Sequence, residues 1–210
     1  MTSIDYLLFD LDQTLIDTFH AHNYLTNKLL AQLGLPPLTE EQTQELRITT
    51  PPEFLTKLIA DPAVRKIALE LRSSMMEDPN KTIAYPGVKE ALTKATKSVK
   101  GIGLVTARKK RSTTILLEYH GLLRLFEKCC VTRENYTNRK PHPEPIEKAL
   151  AIMGFNGNIG RVVYVGDTME NDYVAAQRAG VKFLGFGAEI QSQNRFSHYS
   201  ELESALKRME

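Results

Sequence analysis

The sequence predicts an α/β protein: a parallel sheet with helices on both faces, into which a helical unit is inserted. Three observations predict it. Short apolar runs alternate with helix-like segments through most of the chain. Two of those runs end abruptly in carboxylates. One long segment, residues 17–84, shows no such alternation.

Ile4 to Phe9 is short, apolar and bounded by polar residues, which predicts a buried strand. Further strands are expected near residues 101–105, 128–131, 161–165 and 181–186. Helical patterns occupy 87–98, 109–120, 144–153, 170–179 and 199–208. Gly180 suits a helix stop before the strand from Val181. Within the insertion, Ala21 to Leu33 places Tyr24, Leu25, Leu29, Leu30 and Leu33 at helical spacing. Gly34-Leu35-Pro36-Pro37 ends that helix, and Thr39-Glu40-Glu41-Gln42 reads as the start of the next. After a break at Thr49-Thr50-Pro51-Pro52, helices are expected from Glu53 to Ile59 and from Pro62 to Met76. The expected division is a core of residues 1–16 and 85–210, with 17–84 inserted after the first strand. Linkers near Ile16–Thr18 and Lys81–Pro86 would act as hinges.

At 210 residues the chain can bury one substantial core and a small accessory unit. Hydrophobic content of 42% and charged content of 25% suit a globular protein in water. With 27 basic and 25 acidic residues the net charge is +2, which argues for neither a nucleic-acid nor a membrane partner. No apolar stretch reaches bilayer length and no charged-then-apolar leader precedes the first strand, so a cytoplasmic location is expected. Cys129 and Cys130 are adjacent, poorly placed for an ordinary disulfide, and read as buried thiols in a core strand.

Asp10 and Asp12 close the first apolar run. Side chains two apart in extended chain point the same way, so both carboxylates can face one pocket. Asp167 closes the run Val162 to Gly166, and Asp172 follows five residues later. Open parallel sheets bind ligands beyond the carboxyl ends of their strands. Like charges held there need a cation or a shared proton, and Mg²⁺ prefers such oxygen ligands. Taken alone, Asp172 also suits the positive end of a helix starting near Asn171. Thr106 ends the run Ile102 to Val105; with the N–H groups of the following turn at Ala107 it could hold a phosphate, or it could cap the next helix. Lys140 stands in a proline-rich segment, Asn138 to Pro145, expected to be extended and stiff just before a helix. Arg108 reads as the start of a surface helix with Lys109, Lys110 and Arg111, although contact with substrate is the alternative.

Together these segments resemble the haloacid dehalogenase-like superfamily, in its branch with a small helical cap that includes phosphoglycolate phosphatases and β-phosphoglucomutases. The matching residues are Asp10-Leu11-Asp12-Gln13-Thr14, Thr106, Lys140-Pro141-His142-Pro143, and Gly166-Asp167 with Asp172. Tyr85-Pro86-Gly87-Val88 is similar to the segment that re-enters the core. Gln13 stands where the superfamily often has glycine.

The resemblance implies a Rossmann-like core with an inserted cap and a Mg²⁺-dependent phosphatase acting on a small phosphorylated metabolite. Asp10 would be the nucleophile, forming an aspartyl phosphate, and Asp12 the general acid and then base. Mg²⁺ would be held by Asp10, the Asp12 backbone carbonyl and Asp167, with Asp172 orienting its waters. Thr106, Ala107 and Lys140 would bind the phosphoryl oxygens. Cap closure would exclude bulk water, with His22, Arg47 and Lys57 as candidates for substrate selection. His22 falls where sugar-phosphate mutases of the superfamily have a histidine, although Leu25-Thr26 replaces the alanine-tryptophan that follows it there. A sugar phosphomutase is therefore the alternative activity, and a binding or regulatory module without turnover a third reading. A monomer or a homodimer would suit any of these.

Overall fold

The computed structural model describes residues 4–49, 51–75, 78–188 and 190–209. Thr50 and Met76, which fall in the expected break and in the last inserted helix, lie outside them.

Eight strands are described. They are β1 (Tyr6–Phe9), β2 (Ile16–Asp17), β3 (Ile83–Ala84), β4 (Gly101–Val105), β5 (Cys130–Val131), β6 (Val162–Gly166), β7 (Lys182–Phe186) and β8 (Arg195–Phe196). Six form one sheet in the order β5-β4-β1-β6-β7-β8, every pair parallel. The chain therefore leaves β1 toward β4 and β5 on one side, and toward β6, β7 and β8 on the other. That reversal marks the place where an open sheet binds ligands. The short antiparallel pair β2–β3 and the edge strand β8 were not foreseen. They have two residues each, below the length at which a periodic pattern can be read.

The strands alternate between two apolar layers. Leu7, Phe9, Leu104, Val163, Val165 and Leu184 pack with α5 (Val88–Ala95), α6 (Lys110–Tyr119) and α9 (Leu202–Lys207). Leu8, Val105, Tyr164 and Phe183 pack on the other side with α7 (Glu144–Ile152) and α8 (Val174–Arg178). Both faces are covered, as a parallel sheet requires. Cys129 is buried as expected, but Cys130 is only half-buried, because β5 begins at Cys130 on the sheet edge.

By its internal contacts the chain forms two compact units, Met1–Asp17 with Ile83–Glu210, and Thr18–Thr82. The second holds α1 (Phe19–Gln32), α2 (Glu40–Ile48), α3 (Pro51–Leu58) and α4 (Pro62–Ser74) around Leu29, Leu55, Ile59 and Ala68. The capping signal at Thr39 works as read. Thr39 accepts from the Gln42 N–H at 3.2 Å while Gln42 accepts from the Thr39 N–H at 3.0 Å. Asp61 caps α4 ahead of Pro62. Tyr24 departs from the expected buried stripe of α1: it is exposed, with the Lys81 ammonium 4.3 Å from its ring centre. No helix among the described residues is long and apolar enough to cross a membrane.

Gly103 in β4 shows how tightly the layers close. A Cβ there would meet Leu8 Cδ2 and Cys129 Sγ, both at 2.8 Å. Gly103→Ala is expected to lower stability by about 1–3 kcal/mol through overpacking, read as a shift of the urea midpoint without a change in slope.

Candidate active site

Adjacent strands β4, β1 and β6 deliver Thr106, Asp10 and Asp167 to one rim of the sheet. Asp10 continues the ladder beyond β1, its N–H donating to Val165 at 2.9 Å. The chain then turns: Leu15 and Ile16 donate back to the Leu11 carbonyl, and Gln13 sits at φ 55°. That left-handed conformation is one that glycine adopts without strain.

Lys140 ties the rim together. Its ammonium donates to Asp10 Oδ1 at 2.7 Å, Asp172 Oδ1 at 2.6 Å and the Tyr164 hydroxyl at 2.8 Å. Its side chain is only 8% exposed. The proline-rich mount is not extended as expected. It turns, with the His142 N–H donating to the Arg139 carbonyl at 2.8 Å. Glu144 anchors the turn by accepting from the Thr137 and Asn138 N–H groups.

Asp172 is placed by a π-helical turn, Met169–Tyr173, of the kind that favours functional sites. Its Oδ2 accepts from the Thr168 N–H and hydroxyl at 3.1 and 2.8 Å. Only a glycine clears it: a Cβ on Gly166 would lie 2.5 Å from Asp172 Cβ. Asp167 accepts from the Thr14 hydroxyl at 3.2 Å, and the Thr14 carbonyl accepts from the Tyr199 hydroxyl at 2.8 Å. Thr106 is fully buried; its hydroxyl accepts from the Arg108 N–H at 3.2 Å. It does not cap α6, whose preceding residue is Lys109.

Carboxylate oxygens of Asp10, Asp167 and Asp172 lie within 4.8 Å of one another. Burial, with the charges of Asp172 and Asp12 adding to it, raises Asp10 to about 7 despite Lys140. Asp167 is raised well above the usual carboxylate range by burial and by the charges of Asp172 and Asp10. Asp172 goes the other way: burial would raise it, but Lys140 and the Thr168 bonds hold it low. Burial would lower Lys140, yet Asp10 and Asp172 outweigh it and keep the ammonium charged. Three acids facing one ammonium are an all-oxygen set short of positive charge, which suits a hard divalent cation.

Asp12 lies outside that cluster. Arg108 grips it, Nε reaching both carboxylate oxygens at 2.8 Å and Nη2 reaching Oδ1 at 2.6 Å. The surface reading of Arg108 is thereby overturned: its side chain is 9% exposed. His22 lies half-buried in α1, and Arg47 in α2 stacks its guanidinium 3.8 Å from the Phe19 ring centre. Lys57 pairs with Glu45 at 3.1 Å on the surface of the same unit. Tyr164, Thr168 and Tyr199 escaped the sequence reading. Of these only Tyr164 left a signal, a hydroxyl in an otherwise aliphatic strand, where a buried tyrosine needs a partner.

The model of the haloacid dehalogenase-like hydrolases matches residues 7–186. The chain belongs to that family. A phosphoglycolate phosphatase of Cereibacter sphaeroides is 30% identical over 97% of this chain and 98% of its own length. Pyrophosphatase PpaX of Oceanobacillus iheyensis is 28% identical, covering 91% of this chain and 87% of that protein. Among solved structures, a haloacid dehalogenase-superfamily hydrolase of subfamily IA from Geobacter sulfurreducens superposes with a TM-score of 0.79. It is 28% identical, over 98% of this chain and 97% of that one.

Millimolar Mg²⁺ is expected to raise the thermal midpoint, since a ligand at 100 times its Kd stabilises by about 2.7 kcal/mol. Asp167→Asn should remove most of that rise, as read by calorimetry with and without the ion.

Proposed function

We propose that the protein is a Mg²⁺-dependent phosphatase that hydrolyses a small phosphomonoester through an aspartyl-phosphate intermediate. The observation that carries this reading is Asp10. It is a buried carboxylate at a strand end, with Oδ1 on Lys140 and no hydrogen bond to Oδ2 among the described residues. An oxygen left open beside an ammonium is suited to attack an anionic centre. The relatives support the same chemistry, being named a phosphoglycolate phosphatase and a pyrophosphatase.

Asp10, Asp167 and the Asp12 backbone carbonyl would hold the cation, with Asp172 orienting its waters. Bound there, Mg²⁺ supplies positive charge between the anionic nucleophile and the anionic phosphoryl group. Asp10 Oδ2 attacks phosphorus, and the bond to the ester oxygen breaks. Asp12 gives that oxygen its proton. It then takes a proton from the water that attacks the same phosphorus, and the Asp10–phosphorus bond breaks. Lys140, the Thr106 hydroxyl and the Ala107 N–H bind the phosphoryl oxygens where negative charge accumulates. Tyr164, kept neutral by burial, accepts a hydrogen bond from the Lys140 ammonium and so limits where it can point.

Asp10→Asn should abolish hydrolysis of a generic aryl phosphate while circular dichroism shows an unchanged fold; wild-type turnover in that variant would reject Asp10 as nucleophile. For Asp12→Ala, a loss of about 10²–10⁴-fold in kcat is expected from the missing general acid and base, measured by phosphate release.

A further inference from the structure

Tyr136 buries its ring and directs its hydroxyl to one backbone carbonyl. It follows the turn Arg133–Asn135 beyond β5 and is 6% exposed. The hydroxyl donates to the Thr106 carbonyl at 3.0 Å. The turn that carries it is fixed from within. The Thr132 N–H donates to Asn135 Oδ1 at 2.7 Å, and Arg133 Nη1 donates to the Tyr136 carbonyl at 2.6 Å. The Arg133 guanidinium also lies 5.2 Å from the centre of the Tyr136 ring. The phenol is thus aimed by its own loop.

What the phenol holds is the peptide between Thr106 and Ala107, just past the end of β4. The Thr106 N–H donates to Val131 of β5 at 2.9 Å. A trans peptide is planar, and its C=O and N–H point opposite ways. Fixing the Thr106 carbonyl therefore fixes the Ala107 N–H, which faces away from Tyr136. Strand β4 has β5 on one side and β1, with Asp10 at its end, on the other. Among the described residues nothing accepts from the Ala107 N–H. The next N–H, that of Arg108, already donates to Thr106 Oγ1 at 3.2 Å. A threonine hydroxyl that accepts there still has its own proton to donate.

We infer that Tyr136 is a positioning residue for phosphoryl binding: its hydroxyl holds the Thr106–Ala107 peptide in the orientation that presents the Ala107 N–H to a phosphoryl oxygen. Without that bond the peptide plane is free to tilt, and the N–H meets the oxygen out of line. Hydrogen bonds weaken steeply as the donor angle closes, so a preset plane matters most where negative charge accumulates. This rests on the phosphatase reading and adds to it a residue four positions before Lys140. One loop then serves two donors, carrying Lys140 and aiming Ala107.

The test uses the full chain with Mg²⁺ and with inorganic phosphate as the probe, followed at the Ala107 amide by ¹⁵N–¹H NMR. In wild type, phosphate should move the Ala107 amide proton downfield. Tyr136→Phe keeps the ring, removes the hydroxyl and should shrink that displacement. Its kcat on an aryl phosphate should fall about 10-fold, less than the roughly 10²–10³-fold cost of deleting such a donor outright. An equal displacement in the variant overturns the inference even where turnover falls, because a merely structural tyrosine would lower stability and rate without re-aiming one amide. No displacement in wild type overturns it without any variant. Should Tyr136→Phe not fold, Arg133→Gln, which frees the Tyr136 carbonyl and keeps the phenol, takes its place. A smaller Ala107 displacement there supports the inference, and an unchanged one overturns it. Absence of aryl phosphate turnover alongside a Tyr136-dependent displacement would sink the phosphatase reading and leave Tyr136 as the residue that sets anion binding.

Discussion

Carboxylates crowded at one rim of a sheet repel one another, and the lysine at position 140 is the main counterweight that the chain itself provides. Its three donors go to Asp10, Asp172 and Tyr164, so the ammonium has a fixed address. The consequences are uneven. Asp172, bonded to Lys140 and Thr168, is held ionised; Asp167, which lacks the ammonium as a bonded partner, is driven toward protonation. One cation cannot satisfy three acids. The residual imbalance suits the cluster to a divalent ion, and removing it by mutation would relieve the repulsion at the rim.

Delivering these groups depends on the sheet being covered on both faces. Because β1 lies between β4 and β6, three consecutive neighbours end at the same level and put Asp10, Thr106 and Asp167 side by side. Close approach is bought with small residues: Gly103 lets β4 sit against Leu8 and Cys129, and Gly166 lets Asp172 fold in beneath the strand end. Tyr164 links the two levels. Its ring belongs to the layer under α7 and α8, and its hydroxyl reaches the Lys140 ammonium. Packing of the core and aim of the charge are therefore set by one side chain.

The sequence was informative where a single residue type has few physical uses. An acid at the end of an apolar strand, a Thr-x-x-Gln start and a proline opening a helix each restrict the backbone strongly. The elements they predict lie within a few residues of where they form. It was less informative where the outcome depends on partners distant along the chain. Arg108 next to three basic neighbours looks like solvated surface, and only the fold brings it to Asp12, 96 residues away. The proline-rich mount of Lys140 was read as extended because proline restricts φ, but restricted φ also suits a turn, and Glu144 selects the turn. Asp10 and Asp12, expected to face one pocket by strand alternation, lie close enough for the Asp12 charge to raise Asp10, and the left-handed turn at Gln13 comes only after them.

The Asp12 charge adds to the repulsion on Asp10, a problem that the chain eases by pairing the two acids with different cations. With Asp12 held on Arg108, each of the two carboxylates has its own counter-ion, Lys140 for one and Arg108 for the other. The two counter-ions differ in kind. Lys140 is a point charge that serves several oxygens at once, those of Asp10, Asp172 and Tyr164 among them. Arg108 is a planar fork, and the Asp12 carboxylate lies in it with both oxygens bonded.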